Sequence, residues 1–131
     1  MPLLYALQIL IVYAALLGLI FVALSILTIR ARGTAQVGLG DGGDESLLRR
    51  IRAHANFAEY VPIALILIAG AAIAGASVFF VHASAASLVS GRIVHAYALY
   101  CADGRLRVVG MTITFTVVLA ASAHILWSTL N

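Results

Sequence analysis

The sequence predicts an all-α integral membrane protein, a bundle of four helices that each cross the bilayer. Two observations carry that prediction. Of the 131 residues, 63% are hydrophobic and only 10% charged, whereas soluble domains run nearer 25% charged. Mean hydropathy is +1.09. The few charges are also unevenly placed, gathered between apolar stretches rather than along them. A chain of this length makes one domain, residues 1–131. So apolar a chain excludes nucleic acid as a partner despite a pI near 9.5, and the basic excess is read as topology information. All eight basic residues are arginine, the side chain suited to bidentate carboxylate recognition. The single cysteine, Cys101, excludes an intrachain disulfide. No Cys/His pattern indicates a metal.

The first helix is expected over 3–30. Its stretch MPLLYALQILIVYAALLGLIFVALSILTIR lacks a basic leader region and a cleavage pattern, so it reads as a retained span. The segment ARGTAQVGLGDGGDE (Ala31 to Glu45) follows as a flexible surface loop. Its glycines lack the GK[ST] ending of a phosphate loop.

The middle of the chain is ambiguous by length. Tyr60 to Gly91 is a run of 32 residues without Asp, Glu, Lys or Arg, against the ~20 that one span needs. Charge placement resolves it. As one span, the run would put five arginines on one side and three on the other. As a hairpin turning near Gly75–Ser77, it puts all eight on one side, as the cytoplasmic excess of Arg demands. The expected helices are then 46–75, 77–101 and 106–130, with both termini outside the cytoplasm.

The hairpin has a price in polarity, since each middle helix must draw length from its polar end. Arg52, Asn56 and Glu59, spaced i, i+4, i+7, share one stripe of the second helix. Arg92 and His95 share a stripe of the third. The antiparallel arrangement brings both stripes to similar depth, with Arg105 and Arg107 of the fourth helix at the same level. Ionisable groups at such depth face the bundle or a wet cavity, so a polar pocket is expected there. The structural alternative is that Arg52–Glu59 and Arg92–Glu59 pairs merely join helices. Small residues crowd the second and third helices (Gly70 to Gly75, Ala83 to Ser87), which favours close packing and contacts between copies.

RxHxNxxEYxP from Arg52 to Pro62, then GRxxHxxxLY from Gly91 to Tyr100, resemble the MAPEG superfamily, membrane-associated proteins in eicosanoid and glutathione metabolism. The resemblance covers nearly the whole chain. It implies a homotrimer of four-helix bundles that binds glutathione between subunits near the cytoplasmic face. It also implies a bacterial-type member in the inner membrane, acting as a glutathione transferase or peroxidase on lipophilic electrophiles drawn from the bilayer. By resemblance, Arg52, Asn56, Glu59 and Tyr60 hold glutathione, and His54 matches a position that is His or Gln in the family. Arg92 and His95 match its third-helix positions. Arg107, and Arg105 beside it, match the arginine that stabilises the thiolate. Arg30 matches one that reaches a neighbouring subunit's ligand. The eicosanoid synthases carry a tyrosine where this chain has Leu99, which separates it from them.

The ligand also fits the residue chemistry. Glutathione offers carboxylates for arginine, an ammonium for Glu59, and a thiol whose pKa of about 8.5 a nearby arginine lowers. A non-catalytic membrane scaffold is the main rival. A small multidrug exporter would want a carboxylate deep in a span, and the first helix carries only Gln8. A bis-histidine haem protein using His54 and His95 is a more distant alternative.

Overall fold

The computed structural model describes residues 2–131 and is helical between short turns. Helix α1 covers Pro2–Ala35, α2 Glu45–Ile73, α3 Val78–Tyr100 and α4 Gly104–Leu130. All four are long and apolar enough to cross a bilayer. Four crossings put the two ends of the chain on the same side.

The helix starts are written in the sequence. Asp44 accepts from the backbone N–H groups of Ser46 and Leu47 at 2.8 and 3.0 Å. Ser77 accepts from Phe80 at 3.1 Å. Asp103 accepts from Arg105 and Leu106 at 2.9 and 3.0 Å. Each cap satisfies amide donors that have no partner inside the helix.

The ends of α1, α2 and α3 share one device. A residue with positive φ follows each helix: Gln36 (54°), Gly75 (88°) and Ala102 (56°). The next residue then donates back five positions. Val37 reaches the Arg32 carbonyl, Ala76 that of Ala71 and Asp103 that of Ala98, at 3.1, 2.9 and 2.8 Å. Glycine is the natural occupant of that left-handed position, and only Gly75 meets the preference. Ala102→Gly is therefore expected to stabilise the protein by about 0.5–1 kcal/mol. A raised thermal midpoint in detergent checks this, and an unchanged or lower midpoint contradicts it.

Helix α1 runs past the expected end at residue 30 and carries Arg30 and Arg32 on its last turns. The helix continues through Gly33, the one poor helix former between Ile29 and Ala35, and the Arg32 guanidinium draws the loop back by donating to the Gly40 carbonyl at 2.7 Å. The flexible connection shrinks to Gln36–Asp44.

α2 and α3 form the centre of the bundle. Each packs on the other and on both outer helices, while α1 and α4 do not touch one another. The buried positions of α1 (Ala6, Leu10, Leu17, Leu24, Thr28) recur at steps of four and seven, one narrow stripe. Its other faces expose Ile11, Val12, Leu19, Val22 and Ile29. Water would not tolerate so much apolar surface, but lipid tails do. The core narrows to small side chains where α2 meets α3, with Ala64, Ala71, Ala85 and Ser84 buried.

Glycines set the closest approach, between α3 and α4. A Cβ added at Gly110 would lie 2.7 Å from both the Cβ and backbone N of His95, and 2.8 Å from the Gly91 carbonyl oxygen. Only a hydrogen fits, so the two backbones touch there.

Candidate functional site

The glycine contact positions the polar groups. Because α4 presses on α3 at Gly110, the Arg92 guanidinium lies between three helices and is 1% exposed. Its Nη1 donates to the Asn56 carbonyl of α2 at 3.5 Å. Its Nη2 donates to the Gly110 carbonyl at 3.5 Å and the Met111 sulfur at 3.4 Å, both on α4. The Tyr60 ring lies 5.7 Å below it, within cation–π range. These bonds are long, and Nε has no partner. No carboxylate answers the charge: the sole ion pair among the described residues joins Arg49 to Glu45 at 3.4 Å on the surface.

His95, 4% exposed, sits one turn further along α3. Its Nδ1 is 3.3 Å from the Arg107 carbonyl. A carbonyl can only accept, so Nδ1 carries a proton. In the neutral ring Nε2 is then a bare acceptor, and it is buried without a partner.

A cavity of about 400 Å³ opens beside these groups. Arg52, Asn56, His95 and Arg107 supply its polar wall, and Leu99, Val108, Met111 and Phe115 its apolar one. Its size lies within the usual range for small-molecule sites. Arg92 stands behind the wall, against Asn56 and Met111. The Tyr60 ring meets Phe115 at 5.6 Å.

The other residues singled out from sequence are dispersed. Glu59 is exposed and off the cavity wall. The wall on α2 ends at Asn56, and the Tyr60–Phe115 contact occupies the next turn. The Arg52–Glu59 and Arg92–Glu59 pairs that would merely join helices do not form. His54, two residues after Arg52, points about 200° round the helix. It faces α1, with Nε2 2.9 Å from the Ser25 hydroxyl and its ring stacked on Phe21 at 4.8 Å. Arg30 lines a separate groove of about 330 Å³ with Arg50, Thr34 and Asp44 between α1 and α2. Arg105 is exposed in the first turn of α4, away from the cavity wall. Sequence reasoning passed over Gly110, Met111 and Phe115. A glycine inside an apolar span was the available signal for the first. Nothing marked the other two.

Four apolar helices long enough to span a bilayer, with a cationic, half-apolar cavity at one end, define a polytopic membrane protein. The MAPEG family model matches residues 10–127, and the chain belongs to the MAPEG family. It is 35% identical over 115 residues, 88% of each chain, to the inner membrane protein YecN of Escherichia coli strain K12. The YecN protein of Escherichia coli O6:H1 strain CFT073 is equally similar over the same share. No solved structure matches the chain.

Proposed function

We propose that this protein binds glutathione in the Arg52–Asn56–His95–Arg107 cavity and works as a glutathione transferase or peroxidase on lipophilic electrophiles or peroxides. The carrying observation is a wall of arginines that no carboxylate neutralises, beside an apolar wall. Arg52 is suited to pair a ligand carboxylate bidentately, and the Asn56 amide to meet the peptide. Glu59 would take the ammonium only by approaching from outside the cavity rim. When bound, glutathione supplies the nucleophilic thiol. Arg107 stabilises its thiolate, and Val108 and Phe115 face the side from which an apolar substrate arrives.

The working unit in this reading is a homotrimer in the inner membrane, the location in the name of the YecN relatives. Arg30 and His54 lie on the α1 flank, away from the cavity. They meet a ligand only if it belongs to an adjacent copy, and the untouched outer faces of α1 and α4 leave room for one. Within one chain, the Arg52–Glu59 and Arg92–Glu59 pairs of the scaffold alternative are not formed.

Glutathione titration in mild detergent, with the assembly mass checked, tests the proposal. Arg52→Ala should weaken binding by about 1.5–3 kcal/mol, the worth of a hydrogen bond to a charged group. Arg107→Ala should spare most binding and reduce the thiolate absorbance of bound glutathione near neutral pH. An intact wild type that binds none well above millimolar glutathione ends the proposal, and a monomer ends the trimer.

Topology is tested separately. The arginine bias places Gln36–Asp44 and Cys101–Asp103 in the cytoplasm and both termini outside. In a Cys101→Ser background, a cysteine placed at the exposed Gly38 should resist membrane-impermeant thiol reagents added to intact cells. Labelling there reverses the orientation.

A further inference from the structure

Three guanidinium groups bear on one cavity. Arg52 and Arg107 line it, and Arg92 lies behind its Asn56–Met111 wall. No carboxylate lines it. Arg92, 1% exposed, leaves its Nε–H without an acceptor. A buried charge is tolerated when it is paired, and the chain supplies no counter-charge here. Glutathione would answer the charge only while it is bound.

We infer that the cavity holds a phosphate-type oxyanion when its organic ligand is absent, and that the ligand enters by displacing it. The identity of the displacing ligand rests on the glutathione reading; the oxyanion does not. Phosphate suits the groups present, because guanidinium forks match pairs of its oxygens. The cavity is open to two sources of it. Arg52 and Arg107 are exposed and reach free inorganic phosphate. Val108 and Phe115, 62% and 45% exposed on the apolar wall, admit the headgroup phosphate of an anionic lipid. Ligand affinity then depends on the phosphate around the protein, so the site responds to the ionic or lipid composition of its surroundings.

The test uses the full chain in a detergent with a neutral headgroup. Inorganic phosphate is exchanged for chloride at constant ionic strength while the thermal midpoint and glutathione binding are followed. Phosphate should raise the midpoint saturably above its value in chloride. At a phosphate concentration ten times its own Kd, the apparent Kd for glutathione should rise about elevenfold, as simple competition requires. Arg52→Gln and Arg107→Gln should each weaken phosphate affinity about tenfold or more, and Glu45→Gln should leave it unchanged. In phosphate-free nanodiscs, adding phosphatidylglycerol to phosphatidylcholine should weaken glutathione binding if the lipid is the source. If the arginine variants do not fold, the wild-type competition decides alone. Phosphate binding without glutathione binding upholds this inference and removes the proposed function. Glutathione binding indifferent to both phosphate and phosphatidylglycerol does the reverse, and a wild-type midpoint equal in phosphate and chloride also overturns the inference.

Discussion

Gly110→Ala is expected to cost about 1–3 kcal/mol of stability, the usual toll of overpacking, and to remove most ligand binding. The added methyl would meet the His95 Cβ and backbone N at 2.7 Å and the Gly91 carbonyl at 2.8 Å. Two of these atoms are backbone, so no side chain can swing aside and the helices must part. Parting α3 from α4 stretches both contacts that shape the site, Arg92 to the Gly110 carbonyl and His95 to the Arg107 carbonyl. Gly18→Ala is the control, because a Cβ there meets nothing within 4 Å. Thermal midpoints and glutathione titrations of the two variants check the prediction. Binding by Gly110→Ala equal to that of wild type contradicts it.

Arg92→Met is expected to separate stability from function. Arg92 is buried with three long contacts and no carboxylate. Replacing buried charge by an apolar side chain of similar length is often neutral or stabilising, by up to about 4 kcal/mol. The variant should hold or raise its thermal midpoint while glutathione affinity falls by about tenfold, the loss of a positive charge acting through the Asn56–Met111 wall. A structural arginine predicts the opposite pairing: a lowered midpoint with ligand affinity intact. Midpoint and titration measured on one preparation distinguish the two.

Much of this was legible in the chain. Asp44, Ser77 and Asp103 announce their helices because a short polar side chain before an apolar run serves the first free amides. The 32 uncharged residues from Tyr60 to Gly91 declare a hairpin once the arginines are required to lie on one side. Helical spacing also brought Arg52 and Asn56 to one wall. It missed the level at which that wall stops, because periodicity gives direction round a helix and not where a neighbour closes the space. Glu59 shares the direction of Arg52 yet is exposed and off the cavity wall, in the turn where Tyr60 meets Phe115. His54 entered the candidate site on a motif, although its place in the helix already turns it toward α1.

From sequence alone came the four spans, the gathering of arginine at one end and the family motifs. These depend on local chemistry and on the bilayer, which acts alike on every residue at a given depth. The tertiary structure decided which polar groups meet. Gly110 admits α4 to the α3 backbone, and that contact buries Arg92 between Asn56, Gly110 and Met111. It also brings the Arg107 carbonyl to His95. Whether two helices can approach within a hydrogen's width depends on both surfaces at once, and no single stretch of sequence contains both.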